Sequence, residues 1–236
     1  MSIQPGSRGD PSSFLSREVE ALAVAEFFHN LTVSAPAAFF GTLLCTAVFM
    51  EDGLRGAHVA WLAYGTVVAA LRLGLCWAIR RQAEFGWHLE PRQWARLAVL
   101  GNVLAGIQWG LLGTWLFPEE PGFRQTFTIM VITSFVGGSI TAYAPVRWAH
   151  PALSIPATVP PMIYVFFVES GPHYSAGATA LFFSAMVLYY SFREHRLVVR
   201  RLRADTRLRH EIQDLVSAAD SRGSVLPPED SAATRF

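Results

Sequence analysis

The sequence predicts an all-α, polytopic membrane protein with six transmembrane helices and a cytoplasmic helix after the last of them. Hydrophobic residues make up 52% of the 236 residues and charged residues only 16%, with a mean hydropathy of +0.31. Soluble domains are about 25% charged. Six long apolar stretches and an uneven distribution of arginine are the other two observations behind this prediction.

The six stretches each have the length that a membrane-spanning helix needs, which is about 20 mostly apolar residues. They cover residues 30–50, 58–79, 95–117, 123–144, 150–168 and 174–192. Most connections are short and turn-like, such as Pro-Glu-Glu-Pro-Gly at 118–122, and the longest covers 80–94. These lengths favour antiparallel neighbours in a compact bundle, so residues 30–192 are predicted to form one transmembrane domain.

The orientation follows from arginine, because all 19 basic residues are arginines and the sequence contains no lysine. The two ends, the second loop with the adjoining flank (Arg80, Arg81, Arg92 and Arg96) and Arg147 together carry 16 of them. The opposite loops carry only Arg55 and Arg124, and Arg72 lies within a span. The positive-inside rule therefore predicts a multi-pass protein of a bacterial inner membrane with both termini in the cytoplasm.

Three segments flank this domain in the cytoplasm. Residues 1–29 form an N-terminal arm, in which 13–28 are amphipathic and are predicted to lie at the membrane interface. Residues 193–218 are predicted to continue as a charged, transmitter-like helix, and the polar, proline-containing tail 219–236 is predicted to be disordered. Near-heptad apolar positions on that helix favour a homodimer; they are Val198, Leu202, Leu208, Ile212 and Leu215.

Arg72 is the most unusual residue within the spans, since an arginine at membrane depth is costly and is a functional-site hypothesis by default. It lies about two helical turns from the cytoplasmic end of the second span. We therefore expect it to snorkel to the interface as an anchor or to form a structural pair. A functional role is the alternative.

Polar and small side chains in the third and fourth spans complete the candidate sites. The candidate intramembrane polar site consists of Arg72, Asn102, Gln108, Ser139 and Thr141. Small residues at Gly106, Gly110, Gly137 and Gly138 are typical of close helix packing, and the first two also suit contact between two chains. Packing is the expected role, and a ligand-accessible cavity between the third and fourth helices is the alternative.

No catalytic or cofactor motif is present in the sequence. There is no phosphate-binding loop, no Gly-x-Ser-x-Gly and no paired-cysteine motif. Cys45 and Cys76 are expected to be core residues, and His29 and His150 are conceivable but weak candidates for a haem or metal site. We expect neither catalysis, nor a cofactor or metal, nor nucleic-acid binding.

Two stretches carry a resemblance to a known family. They are WARLAVLGNVLAGIQWGLLGTWLFP at 94–118 and SITAYAPVRWAHPALSIPATVPP at 139–161, and the arginine-rich helix after the last span adds to them. Over residues 15–216 the chain resembles the six-helix N-terminal membrane region of certain bacterial sensor histidine kinases and diguanylate cyclases. The chain differs in having no output domain after the helix, so a stand-alone relative, a truncated product and an isolated input module all stay open.

The resemblance implies a sensory or signal-input module that relays a signal through its C-terminal helix to a cytoplasmic kinase or diguanylate cyclase. A small transporter or permease is the alternative. It is favoured by polar residues in the third span and by Pro145, Pro151, Pro156, Pro160 and Pro161, which are expected to kink or interrupt the fifth.

Overall fold

A computed structural model of the chain describes residues 11–49, 56–82, 84, 86, 89–118, 122–167 and 174–223, and this part is all-α. It contains seven helices, which we number in chain order. They are α1 (Pro11–Phe49), α2 (Gly56–Arg81), α3 (Pro91–Leu112), α4 (Phe123–Gly138), α5 (Ile140–Tyr143), α6 (Ala149–Phe167) and α7 (Tyr174–Gly223).

Three helices in the described ranges are both long and apolar enough to cross a membrane. They are Leu15–Phe49 of α1, the whole of α2 and the whole of α3. Among the described residues, no helix at the other three predicted spans meets both conditions. At 16 residues α4 is about 24 Å long, less than the roughly 30 Å of a hydrocarbon core.

The N-terminal arm and the first predicted span form one continuous helix. α1 has 39 residues, whereas the sequence suggested an interfacial helix followed by a turn into the bilayer. The difference has a packing reason, because Val19, Val24, Phe27 and Phe28 are buried in the protein core and are not directed at lipid headgroups.

The fourth predicted span is divided near its end. α4 stops at Gly138 and the short α5 begins at Ile140. Glycine is about 1 kcal/mol less favourable in a helix than alanine, and two glycines precede the break. The Ser139 hydroxyl also donates to the Val136 carbonyl at 2.9 Å, a local bond of the kind that competes with helical geometry.

α6 is a single helix in spite of its prolines, and it lies against α3 in the most extensive helix–helix contact of the fold. A methyl group added at Gly106 would come 2.3 Å from the Leu153 carbonyl oxygen, and one at Gly110 would come 2.2 Å from that of Pro156. Because only a hydrogen occupies those positions, the backbone of α6 approaches that of α3 closely. This surface of α3 is therefore occupied within one chain, which corrects the suggestion that Gly106 and Gly110 support contact between chains.

α3 is the centre of the bundle and separates two groups of buried apolar side chains. One group is formed around Phe27, Trp94 and Leu153 towards the start of α3, and the other around Trp61, Trp109 and Leu112 towards its end. α1, α2 and α6 all contact α3. The start of α3 is defined by Pro91 in its first turn and by the Glu90 backbone N–H, which donates to Gln93 Oε1 at 2.9 Å.

α7 has 50 residues and continues without interruption from the last predicted span into the arginine-rich segment. It extends to Gly223, past the predicted end of the cytoplasmic helix at residue 218. The remainder of the predicted disordered tail lies outside the described residues.

Candidate functional site

Arg72 is buried within the bundle and does not reach the membrane interface. Its side chain is on α2 and only 2% of the residue is exposed. One terminal guanidinium nitrogen donates to Asn102 Oδ1 on α3 at 3.1 Å and to the hydroxyl of Tyr143 on α5. The guanidinium carbon also lies 5.4 Å from the centre of the Tyr143 ring, where the ring quadrupole attracts a cation. The snorkelling role expected from the sequence is therefore not what the structure shows.

The positive charge of Arg72 has no carboxylate partner in the described part of the chain. The ion pairs found there involve other arginines and His210. The Nε atom of Arg72 is buried and lacks a hydrogen-bond partner among the described residues. A buried charge is expensive unless it is paired and hydrogen-bonded. Here only neutral dipoles and one aromatic ring stabilise it.

Asn102 and Tyr143 extend the contacts of Arg72 to further helices. The Asn102 amide donates to the Ala149 carbonyl at the start of α6 at 2.8 Å. The Tyr143 hydroxyl, which accepts from Arg72, donates to Ser34 Oγ on α1 at 3.3 Å. We call Arg72, Asn102, Tyr143 and Ser34 the arginine centre; it connects α1, α2, α3, α5 and α6.

The residue after Tyr143 connects the arginine centre to α7. The carbonyl of Ala144, which follows Tyr143, accepts a hydrogen bond from His195 Nδ1 on α7 at 2.8 Å. Because a carbonyl only accepts, His195 carries its proton on Nδ1 in this arrangement. A displacement of Tyr143 would therefore reach the helix that leaves the bundle.

Gln108 belongs to a second, separate polar centre. Its side-chain amide donates to Thr42 Oγ1 at 2.7 Å, and its backbone carbonyl accepts from Trp61 Nε1 at 2.7 Å. Gly65 makes room for the amide, because a methyl group there would lie 2.3 Å from Gln108 Nε2. We call Gln108, Thr42 and Trp61 the glutamine centre; it connects α1, α2 and α3.

The five polar residues chosen from the sequence thus do not form one site. Arg72 and Asn102 are in direct contact, whereas Gln108 is in the glutamine centre. Ser139 is buried and bonds only within its own turn, and Thr141 is exposed. Sequence reasoning missed Tyr143, Ser34 and the contact of His195. Tyr143 had one signal, since it lies in the stretch 139–161 that carries part of the resemblance.

The two glycine pairs also differ in their surroundings. Gly106 and Gly110 contact the backbone of α6, as described above. A methyl group added at Gly137 or Gly138 would meet no atom of the described residues within 4 Å. The expected close packing therefore concerns the third and fifth predicted spans and does not involve the glycines of the fourth.

The histidines provide no metal centre in the described ranges, where no group of three His, Cys, Asp or Glu side chains could hold an ion. His150 is buried and its Nε2 lies 2.9 Å from the Val136 carbonyl, whereas His29 is exposed. His150 thus links α6 to the end of α4.

The apolar stripe on α7 has two parts. Val198 and Leu202 are half-buried against the bundle. Leu208, Ile212 and Leu215 are 56%, 51% and 71% exposed, and so is every residue from 211 to 219. The change from half-buried to exposed apolar residues occurs close to where His210 Nε2 contacts Glu18 Oε2 of α1 at 3.2 Å. Beyond this contact α7 extends away from the bundle.

Comparison of the chain with protein-family models, with curated proteins and with solved structures finds no match. The function must therefore be inferred from the arrangement of this chain's own residues.

Proposed function

We propose that the protein is a membrane-embedded sensory or signal-input module without its own catalysis, and that it relays a signal through α7. The observation that carries the proposal is the continuity of α7. One helix runs from the last predicted span to an end where Leu208, Ile212 and Leu215 are exposed. A single helix transmits a shift or rotation along its axis, and its exposed stripe provides a place for a partner.

We propose that this stripe packs against the same stripe of a second copy of the chain. Leu208, Ile212 and Leu215 follow a four–three spacing, which is the spacing of a coiled-coil seam. An isolated helix of this length is marginal in water, so the spans must support the pairing. The arginines around the stripe keep the other faces of the helix in water. A cytoplasmic kinase or diguanylate cyclase is the proposed recipient of the signal.

The six-span topology in a bacterial inner membrane is part of the proposal. Several large apolar side chains on the outer surface are 70–74% exposed, a degree that suits lipid contact; they are Val33, Phe40, Phe123 and Phe167. Reporter fusions at the C-terminus and at Gly122 should report opposite compartments. The same compartment for both would contradict six spans.

The transporter alternative rests on the polar residues of the third span and on an interrupted fifth span. In the structure α6 is continuous, and Asn102 and Gln108 are both engaged in hydrogen bonds with the chain itself. Substrate flux in proteoliposomes would favour the transporter, whereas a module that only relays a signal gives none.

Cysteine crosslinking in native membranes tests the proposed relay helix. Single cysteines are introduced at 198, 202, 208, 212 and 215 in a background in which Cys45 and Cys76 are replaced by alanine. We expect disulfide-linked dimers at 208, 212 and 215 and little at 198 and 202, which are half-buried against their own chain. Ser217→Cys is the matched control, because it lies on the opposite face of the same exposed segment. Equal crosslinking at 217 and 212 would contradict the proposal.

A further inference from the structure

A cavity of about 570 Å³ lies where four segments of the chain meet. Its walls come from the first part of α1, the first turns of α3, the connection between α5 and α6, and α7 around residues 195–203. The six-span topology places all four segments at the cytoplasmic side of the membrane. The volume is within the roughly 300–1,000 Å³ of small-molecule sites.

The polar lining of this cavity is mainly positive. Arg96, Arg147 and Arg203 reach it from three different segments, and no carboxylate in the described part of the chain pairs with any of them. Glu20 is the acidic residue of the lining, and its Oε2 lies 3.4 Å from Nε of Arg92. Three arginines around one space, none of them paired with a described carboxylate, favour an anion with several oxygen acceptors, such as a phosphate group.

Apart from Ser16 and His195, the rest of the lining is apolar. Val19, Val24, Val99 and Val199 form much of the wall, and Trp148 lies beside them with its ring 5.4 Å from the guanidinium carbon of Arg147. Tryptophan is enriched at the depth of lipid headgroups, where one side of the ring is apolar and the other is wet. A ligand that suits this lining is anionic at one end and apolar at the other.

We infer that the cavity binds the headgroup of an anionic phospholipid of the cytoplasmic leaflet, with its phosphate among Arg96, Arg147 and Arg203. Basic pockets between membrane helices on the cytoplasmic side have the chemistry for such headgroups. The inference rests on the proposed topology, and it deepens the proposed function by giving the sensory module a ligand class. A bound headgroup would contact α3 and α7 together, so its arrival or loss would change how α7 is held against the bundle.

The experiment measures the thermal stability of the purified protein in a neutral detergent while lipid is added. The lipids are phosphatidylglycerol and phosphatidylcholine with identical acyl chains, and a third titration uses glycerol 3-phosphate. We expect saturable stabilisation by phosphatidylglycerol, with weak effects of the other two at equal concentration. Arg203→Gln should weaken the apparent affinity for phosphatidylglycerol about fivefold, as expected for one surface arginine near anionic lipid.

Arg200→Gln is the matched control, because it makes the same charge change on the same helix outside the cavity lining. We expect it to leave the titration unchanged and Arg203→Lys to retain most of the affinity. Equal stabilisation by the two lipids would overturn the inference. An equal loss of affinity for phosphatidylglycerol in Arg200→Gln and Arg203→Gln would also overturn it. A response to glycerol 3-phosphate as strong as that to the lipid would instead assign the cavity to a free phosphate compound. If Arg203→Gln does not fold, competition of the same three compounds against spin-labelled phosphatidylglycerol on the unmodified protein gives the answer.

This experiment is independent of the relay. Loss of lipid selectivity with intact crosslinking at 208, 212 and 215 would contradict only the lipid site. Intact lipid binding without crosslinking would contradict only the proposed relay.

Discussion

α3 and the end of α7 represent two opposite ways of using apolar surface. Along α3 the buried residues include Trp94, Asn102, Gly106 and Trp109, so that helix has neighbours on most of its sides. In α7 every residue from 211 to 219 is exposed, apolar side chains included. The buried residues of α3 make their contacts within one chain, whereas the end of α7 has apolar surface that no described residue of its own chain covers.

This difference indicates where the molecule is rigid and where it can respond. Changes in α3 should affect the stability of the bundle, because its contacts are close and involve backbone atoms. Changes at the end of α7 should leave stability almost unaltered and should affect association between chains. The following predictions test this division, in order of decreasing effect on stability.

The largest effect is expected for Gly110→Ala. The new methyl group would lie 2.2 Å from the Pro156 carbonyl oxygen, and a backbone atom cannot move aside as a flexible side chain can. Overpacking of this kind costs about 3 kcal/mol or more, which corresponds to a fall in Tm of roughly 6–12 °C for a chain of this size.

Gly137→Ala in α4 is the control for that variant, since no described atom lies within 4 Å of the added methyl group. It should leave Tm unchanged or raise it slightly, because alanine favours the helix. A similar loss of Tm in both variants would mean that the contact between α3 and α6 is not the critical one.

The next largest effect is expected for Arg72→Lys. Both hydrogen bonds of Arg72 come from one terminal nitrogen of the guanidinium. The lysine ammonium nitrogen is one bond closer to the backbone than that nitrogen, so Asn102 Oδ1 and the Tyr143 hydroxyl would lose their donor. A buried acceptor left without a partner costs about 1–3 kcal/mol. Arg80→Lys, on the exposed end of the same helix, should be neutral in the same thermal unfolding measurement. Equal stability of the two variants would exclude the arginine centre as a structural unit.

A smaller effect is expected for Gly65→Ala in α2. The methyl group would displace the amide of Gln108 from Thr42, but that amide is the end of a flexible side chain. The net cost should be about 1 kcal/mol, the worth of one hydrogen bond. Gly74→Ala in the same helix meets no described atom and should be neutral or stabilising. A larger loss of stability for Gly74→Ala than for Gly65→Ala would contradict the described glutamine centre.

The all-α class and the candidate status of the first three spans could be predicted from the sequence, because length and apolar composition alone determine them. Asn102 as a partner of Arg72 was within reach for a similar reason, since both are costly in an apolar span and each needs a polar neighbour. The sequence could not show that Gln108 lies apart from them. Residues on one helix can face different neighbours, and a sequence does not give the rotation of a helix.

The partners of the glycines were equally hidden. Gly106-x-x-x-Gly110 shows that a close approach occurs on α3, but the same pattern serves contacts within a chain and between chains. Only the position of Pro156 and Leu153 identifies α6 as the neighbour. The break after Gly138 and the continuity of α6 were also unexpected. The break has local causes, namely two glycines and the bond of the Ser139 hydroxyl, whereas in α6 the contact with α3 outweighs the low helix propensity of the prolines.

The smallest effect on stability is expected for Ile212→Gln. The side chain is 51% exposed, and substitutions at such surface positions usually change stability by no more than about 0.5 kcal/mol. The same change should markedly reduce the disulfide-linked dimer formed through a cysteine at 208 or 215. Unchanged crosslinking would show that the stripe is not the contact between chains.

The most direct test of the relay is a distance measurement between two copies of α7. Spin labels at residue 212, in the background without Cys45 and Cys76, report that distance by pulsed electron paramagnetic resonance in lipid nanodiscs. Tyr143→Phe removes the hydroxyl that joins Arg72 to Ser34, next to the carbonyl that binds His195. We predict a shifted distance distribution for Tyr143→Phe and an unchanged one for Tyr189→Phe, whose ring is exposed. Identical distributions in the two variants and the unmodified protein would contradict a relay from the arginine centre to α7.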